Sequence, residues 1–234
     1  RPNFVIFFLD DSGYGDYSHN GNPTIQTPQI TRLVREGLNF TQFYVTSPAC
    51  SASRYSLMTG RYPGRSGLGA WVIGPSSKRY LHPEEMTLPE ALKEQGYKTG
   101  IFGKWHLGAH KDYGPKKQGF DEFFGIRDGF IDNYNHFFLH PRGFHDLYEG
   151  TKTVKNPGEY FTELMVKRSL KFIEENKESP FFLYAAFNIP HYPEQALKKH
   201  EALFKNEPDP ELRSYGAIMA TTDYYVGQIV DKLE

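Results

Sequence analysis

The sequence predicts an α/β fold, in which a mainly parallel, mixed sheet carries helices on both faces. Two apolar runs, Phe4–Leu9 and Phe181–Phe187, have the length and composition of strands that are buried on both sides. Segments with a helical pattern alternate with the predicted strands, and this alternation is typical of parallel sheets covered by helices. At 234 residues, the chain is long enough to build one substantial core of this kind.

Capping and turn residues place the elements of the first half in order. Asn3–Leu9 is predicted to be a strand. Thr27 and Pro28 suit the N-cap and first turn of a helix that Gly37 ends. Leu38–Val45 is predicted to be a strand, and a short helix is predicted to follow Cys50 and to stop at Gly60. A capping box at Thr87 and Glu90 predicts a helix that stops at Gly96, and Tyr97–Phe102 is predicted to be a strand.

The second half contains one segment without a clear hydrophobic period, residues 127–158. It is rich in His, Asn, Gly and aromatic residues, so we expect a long functional loop or insertion. A helix at Tyr160–Asn176, a buried strand at Pro180–Phe187 and a helix starting at Asp209 follow. No strand follows this last helix, so we expect residues 1–234 to be the N-terminal part of a larger domain.

Composition argues against several classes of function. The 27 basic and 28 acidic residues leave a net charge of -1 and form no basic stripe, which argues against nucleic-acid binding. The longest apolar runs are too short to cross a bilayer, so we expect no membrane span. The single cysteine, Cys50, cannot form a disulfide within the chain.

Polar side chains follow three of the predicted strands. Asp10 and Asp11 end the first strand, Lys104 and His106 follow another, and His191 follows the strand at 180–187. Ligands of open parallel sheets bind beyond the carboxyl ends of the strands. We therefore expect these side chains to contribute to one functional site.

The segment around Cys50, which follows a fourth predicted strand, carries a second kind of signal. Ser51 or Ser53 can cap the short helix, which would leave Cys50 beside its N-terminus, where amide groups and the helix dipole favour an anion. Arg54 lies one turn further and can reach the same point. An inert buried cysteine and a surface ion-pair arginine are the alternative interpretations.

Each of the other polar groups also has a structural alternative. The adjacent carboxylates of Asp10 and Asp11 suit a hard cation such as calcium, but an Asx turn explains them too. Lys104 and His106 would give a cleft one fixed charge and one proton carrier, whereas a salt-bridged lysine and a core histidine fit equally well. His191, next to Pro190 in the sequence, is by itself more often structural.

Two long segments resemble the signatures of one enzyme family. Cys50–Gly60, with the sequence CSASRYSLMTG, is similar to the first signature, C-x-P/A-x-R, and Gly96–His106, with the sequence GYKTGIFGKWH, closely resembles the second. The Asp10-Asp11 pair and Gly119–Gly125 are also similar. Along its whole length the chain resembles the type I, formylglycine-dependent sulfatases of the alkaline phosphatase superfamily, which implies an alkaline-phosphatase-like catalytic domain.

The resemblance implies a mechanism of sulfate ester hydrolysis. Cys50 would be oxidised to formylglycine by a maturation enzyme, and the hydrated aldehyde would be the nucleophile. Asp10 and Asp11, with the modified residue 50, would bind one calcium ion that also contacts the sulfate. Arg54 would hold the modified side chain, and Lys104 would neutralise sulfate oxygens.

Two histidines complete the implied mechanism, and two features depart from the family. His191 would be the general acid for the departing alcohol, and His106 the base that restores the aldehyde. Ala52 stands where most members have proline. The family's later Asp-Asn metal pair and a further substrate-binding lysine are expected beyond Glu234.

The resemblance leaves the substrate open. Aromatic and amide side chains in residues 127–158 suit a sulfated sugar, and His136, His140 and Arg142 are predicted to contact it; a loop packed by its own side chains is the alternative. A phosphate or phosphonate monoester hydrolase and a non-catalytic, calcium-assisted glycan-binding relic are competing functions. Sulfatases of this type are mostly periplasmic, secreted or lysosomal, which predicts export.

Overall fold

The computed structural model describes residues 1–69, 71–139 and 143–234. The strands are β1 Phe4–Asp10, β2 Lys98–Lys104, β3 Glu122–Ile126, β4 Tyr148–Glu149, β5 Lys152–Thr153 and β6 Phe181–Pro190. The α-helices are α1 Pro28–Glu36, α2 Cys50–Thr59, α3 Leu88–Glu94, α4 Phe161–Asn176, α5 Lys198–Glu201 and α6 Pro210–Leu233.

The strands form one mixed sheet in the order β1-β6-β2-β3-β4-β5. β2 pairs in parallel with both β6 and β3, whereas β3–β4 and β4–β5 are antiparallel. The prediction of a mixed α/β sheet is therefore confirmed. The β4–β5 hairpin lies inside residues 127–158, the segment in which the sequence pattern indicates no regular element.

Successive residues of β2 face opposite sides of the sheet, and each side carries a helix. Ile101 belongs to a buried cluster that includes Tyr55 and Met58 of α2. Phe102 points the other way, and its ring centroid lies 5.6 Å from that of Phe172 in α4. β2 is thus buried on both sides, as the strands of covered parallel sheets are.

Two glycines of the central strands lie where no side chain would fit, just before the polar strand ends. A Cβ at Gly103, whose φ is 121°, would lie 1.9 Å from the carbonyl oxygen of Ala186 in β6. A Cβ at Gly125 would lie 1.8 Å from the carbonyl oxygen of Gly103. Only glycine permits this approach. The next pair in register, Lys104 and Ile126, consists of the last residues of β2 and β3.

Two sequence predictions need correction. The strand predicted at Leu38–Val45 is wrong: this segment forms turns and irregular backbone, and Leu38 is 85% exposed. Its aromatic and β-branched residues favour a strand, but a strand also requires a paired neighbour. β3 was not predicted, because its five residues form too short a pattern to indicate a strand.

The chain divides into two compact units, each with its own packing. One unit comprises residues 1–8 and 44–186, and the other comprises residues 9–43 and 187–234. In the second unit, α1 and α5 pack against α6. The Asp223 carboxylate of α6 accepts hydrogen bonds from the backbone N–H groups of Gln29 (3.1 Å) and Ile30 (2.8 Å), which caps the start of α1. Among the described residues, no helix is long and apolar enough to cross a membrane.

Candidate active site

Cys50 is the first residue of α2. The N-cap is Ala49, so the prediction that Ser51 or Ser53 caps this helix is wrong. Ser51 is fully buried, and its hydroxyl instead accepts a hydrogen bond of 3.0 Å from the backbone N–H of Ile73. Cys50, which is half-buried, therefore lies within the first turn, where helix amide groups and the dipole favour an anion.

Arg54 connects α2 to the end of β2. Its side chain is fully buried, and Nη1 donates hydrogen bonds to the carbonyl oxygen of Lys104 (2.8 Å) and to the Tyr184 hydroxyl (3.3 Å). The guanidinium group also lies over the Phe8 ring, 5.1 Å from its centroid. Arg54 is thus a structural link between the Cys50 helix and Lys104, rather than the surface ion-pair residue of the alternative interpretation.

Lys104 and His106 are also buried, at the carboxyl end of β2. Lys104 is 0% exposed and is the last residue of the strand. His106 has a left-handed backbone with φ 58°, a conformation that side chains other than glycine rarely adopt and that often marks functional sites. Its backbone N–H donates to the carbonyl oxygen of Arg127 (3.1 Å), so the chain continues beside the end of β3.

Ile73 ties His106 to the start of α2. While its N–H group binds the Ser51 hydroxyl, its carbonyl oxygen lies 2.9 Å from Nε2 of His106. A carbonyl oxygen only accepts, so Nε2 must carry the proton of this hydrogen bond. In the neutral ring, Nδ1 is then the basic nitrogen of His106.

A buried pair of carboxylates, which sequence patterns did not indicate, lies at the end of β3. β4 runs back along β3 and brings Asp146 beside Arg127 and Asp128, whose backbone N–H groups donate to the Asp146 carboxylate at 3.2 and 2.9 Å. Burial and repulsion by Asp146 raise the pKa of Asp128 to about 7, although attraction by Lys104 acts to lower it. No sequence motif could have revealed this pair, because 18 residues separate its members.

The predicted metal ligands and the predicted acid lie in the second unit. Asp10 ends β1 and is buried, while Asp11 has a left-handed backbone with φ 64°. Oδ2 of Asp11 lies 3.5 Å from Nε2 of His191, an ion pair only when the ring is protonated. Nδ1 of His191 lies 2.7 Å from the carbonyl oxygen of Tyr192, so Nδ1 donates there and, in the neutral ring, Nε2 is the acceptor nitrogen.

A tyrosine of α6 holds the loop that follows β1. The Tyr215 hydroxyl lies 2.6 Å from Oδ2 of Asp16 and 3.0 Å from the carbonyl oxygen of Asp11. The same carboxylate of Asp16 accepts from the N–H of Gly13 at 2.5 Å. Burial, followed by the hydrogen bond to Asp16, raises the pKa of Tyr215, so this hydroxyl stays protonated. The backbone of Asp11 is therefore fixed from α6.

The donor chemistry of Asp10 and Asp11 fits calcium, although the pair is not a complete site. Calcium prefers carboxylate oxygens and takes six to eight oxygen ligands. Within the three described ranges, no three His, Cys, Asp or Glu side chains gather as a metal cluster. Asp10 and Asp11 are thus a suitable but partial ligand set.

Comparisons with known proteins identify the family of this chain. The model of the sulfatase family matches residues 2–234. The chain belongs to the sulfatase family. The N-acetylgalactosamine-6-sulfatase of Mus musculus is 34% identical over 257 residues, which cover 100% of this chain and 47% of that protein. Arylsulfatase J of Mus musculus is 34% identical over 229 residues, which cover 95% of this chain and 38% of that protein.

Solved structures of similar proteins share the fold. The crystal structure of Ps i-CgsB in complex with k-i-k-neocarrahexaose has a TM-score of 0.91 and 31% identity, over 99% of this chain and 55% of that chain. The six-stranded mixed sheet thus has the alkaline-phosphatase-like architecture expected from the sequence. This sulfatase chain spans about half the length of the curated relatives that it matches.

The structure of this sulfatase chain favours a packing role for one predicted substrate residue. His136 is fully buried, and its Nε2 lies 3.0 Å from the carbonyl oxygen of Glu159. Burial lowers the pKa of His136. Its own carbonyl oxygen accepts from the N–H of Asp146, so His136 helps to place the carboxylate pair. The other two predicted substrate residues, His140 and Arg142, lie outside the described residues.

A cleft with cationic and aromatic groups opens elsewhere in this sulfatase chain, directly after Ile73. It is lined by residues 74–80 and 108–110 and by Tyr113. Lys78, Arg79 and His110 are exposed there, and the Arg79 guanidinium lies over the exposed Trp71 ring, 5.6 Å from its centroid. The exposed aromatic and basic residues between 71 and 80 were the available sequence signal, but they do not lie in the segment predicted to bind substrate.

Proposed function

We propose that the protein removes sulfate from a sulfated carbohydrate. The observation that carries this proposal is the arrangement at the start of α2. Cys50 lies in the first turn of the helix, and the buried Arg54 joins that helix to the backbone of the buried Lys104. A helix N-terminus and two fixed cations suit a tetrahedral anion with a single negative charge, which a sulfate ester is.

Cys50 is the proposed source of the nucleophile. Oxidised to formylglycine by a maturation enzyme, it provides an oxygen nucleophile in its hydrated form. An anionic ester repels such a nucleophile, so positive groups must offset the charge before the two can approach. Lys104 holds sulfate oxygens in this proposal, and Arg54 fixes α2 relative to Lys104.

Two histidines move protons in the proposed reaction. His191 gives the proton on Nε2 to the oxygen of the departing alcohol, because an alkoxide is a poor leaving group. His106 takes up a proton on Nδ1 as sulfate is released, while its Nε2 stays bound to Ile73. The net reaction consumes one water molecule and yields an alcohol and sulfate.

Asp10 and Asp11 are the proposed calcium ligands of this chain. Calcium bound there would act as a Lewis acid toward sulfate oxygens. The test is isothermal calorimetry of calcium binding to the mature protein and to Asp10→Asn and Asp11→Asn. Each variant is expected to bind calcium at least about tenfold more weakly. Unchanged affinity in both variants would remove these residues from the ligand set.

The carbohydrate part of the proposal is supported by the cleft that begins at Gly74. Exposed Lys78, Arg79 and His110 can pair with further sulfate groups of a glycan, and the Trp71 ring offers a face for a sugar. The related structure of Ps i-CgsB was solved with k-i-k-neocarrahexaose. Export to a periplasmic, secreted or lysosomal location stays a prediction.

Turnover of matched substrates tests the function. Sulfated mono- and oligosaccharides, a simple aryl sulfate, and aryl phosphate and phosphonate monoesters are compared at equal concentration, and mass spectrometry measures the conversion of Cys50. We expect Cys50 conversion and preference for a sulfated sugar. Faster phosphate or phosphonate cleavage would favour the competing hydrolase, and an unconverted thiol without turnover would favour a glycan-binding relic.

A further inference from the structure

Asp128 lies beside His106, which follows the end of β2. The carbonyl oxygen of Arg127 accepts the N–H of His106 at 3.1 Å. On the other side of Asp128, a Cβ at Gly129 would lie only 3.1 Å from Nε2 of His106. The backbone on both sides of Asp128 thus contacts His106.

One carboxylate oxygen of Asp128 is without a hydrogen-bond partner among the described residues. The residue is 2% exposed, and within the part of the chain that the structure describes, Oδ2 makes no hydrogen bond. Buried carboxylate oxygens are normally satisfied by donors, so an oxygen of this kind indicates a bound proton or a ligand. The backbone N–H of Asp128 is already used, because it donates to Asp146.

Charged groups face Asp128 from all the neighbouring elements. They are Lys104 at the end of β2, His106 after it, Arg127 next to Asp128 in the sequence, Asp146 in the return segment and Tyr148 in β4. Burial is the largest cause that raises the pKa of Asp128, Asp146 adds repulsion, and Lys104 opposes both. Burial also raises the pKa of Asp146, to about 6.

We propose that Asp128 is a proton-dependent positioning residue of the sulfate pocket. In its neutral form, the carboxyl group leaves the charge of Lys104 available to the ester and can donate a hydrogen bond to an acceptor oxygen. In its ionised form, the carboxylate attracts Lys104 and repels the anionic ester. This inference rests on the proposed function, because it assigns a regulatory role at the same site.

The consequence is an alkaline limit on substrate affinity. As the pH rises above about 7, Asp128 loses its proton, and KM for the sulfate ester rises by up to about tenfold per pH unit. kcat changes less than KM, because Asp128 acts on binding through Lys104. A group with a purely structural role would give no such separation of KM from kcat.

The test is the pH profile of KM and kcat between pH 5 and 9 for the mature wild-type enzyme, Asp128→Asn and Asp231→Asn. Asp231 is exposed and ion-paired with Arg32, so its variant makes the same chemical change away from the pocket. We expect the alkaline rise in KM to persist in Asp231→Asn and to disappear in Asp128→Asn. An identical rise in Asp128→Asn overturns the proposal, as does a folded Asp128→Asn enzyme that is inactive at every pH.

Infrared spectroscopy gives a second measurement that does not depend on turnover. The protonated carboxyl band that is present in the wild type and missing in Asp128→Asn should titrate near neutral pH, and its absence at pH 5 contradicts the proposal. If the wild type cleaves no sulfate ester, the proposed function fails. Turnover with an unshifted pH profile in Asp128→Asn instead refutes only the role of Asp128.

Discussion

The ends of β2 and β3 are neighbours in the sheet but carry different ionisable groups. β2 ends in the buried Lys104, followed by His106, and both are fixed by contacts with α2 or with Ile73. β3 leads into Asp128, which is paired with the distant Asp146. In the proposed site, one end supplies positive charge for an anion, and the other supplies a carboxyl group whose proton sets how much of that charge remains.

This difference teaches how a pocket can distinguish anions. A purely cationic strand end would favour dianions such as phosphate monoesters over sulfate monoesters, since Coulomb attraction grows with charge. A neighbouring acid that ionises near neutral pH reduces the net positive charge and favours the monoanion. In the proposed site, Lys104 at the end of β2 therefore binds the anion, and Asp128 after β3 adjusts the net positive charge around it.

The largest effect is expected for Cys50→Ser, which replaces the proposed source of the nucleophile at the start of α2. Serine attacks once but cannot release sulfate by forming an aldehyde, so steady-state turnover should fall by about 10⁴-fold or more. A burst assay with mass spectrometry should find one sulfate retained per chain. Unimpaired steady-state turnover would show that residue 50 is not the nucleophile.

The next effect is expected for Lys104→Met, which removes the fixed charge from the end of β2. We expect kcat/KM for the sulfate ester to fall by about 10²- to 10³-fold, the usual cost of losing one electrostatic contact to a reacting anion. Lys98→Met is the matched control, because Lys98 opens the same strand and is exposed. Equal losses in both variants would contradict a specific role for Lys104.

A third effect concerns the link between α2 and β2. Arg54→Met leaves the buried carbonyl oxygen of Lys104 without this donor, so the free energy of unfolding should fall by about 1–3 kcal/mol in a urea titration. Arg61→Met breaks an exposed ion pair with Glu85 and should cost less than about 1 kcal/mol. A smaller loss in Arg54→Met than in Arg61→Met would mean that Arg54 does not stabilise this end of β2.

Sequence patterns predict the β2 end well because its signals are local. The capping box at Thr87 and Glu90 is present, and the strand before Lys104 was expected to within two residues. The segment Leu38–Val45 shows the limit, since strand propensity without a pairing partner gave a wrong strand. The individual roles of Cys50 and the other residues of the proposed site stay predictions.

The β3 end could not be predicted, because it depends on contacts between distant residues. Nothing in the sequence around Asp128 indicates that the β4 hairpin returns and places Asp146 beside it. Ser51 is a similar case: a local pattern suggests a helix cap, whereas the fold uses its hydroxyl to bind Ile73. Local chemistry identifies candidate residues, but tertiary pairing decides what each of them contacts.

The last effect concerns the free energy of unfolding rather than catalysis, and its dependence on pH sharpens the contrast between the two strand ends. The folded-state pKa of Asp128 is about 7, above its ordinary value of 3.8, so its contribution to stability is complete below pH 4 and is lost as the pH rises to 7. Asp128→Asn removes this loss. Relative to wild type, its free energy of unfolding should rise by about 2–4 kcal/mol between pH 4 and pH 8. Urea titrations at both pH values measure the change, and a pH-independent difference would mean that Asp128 is already ionised at pH 4.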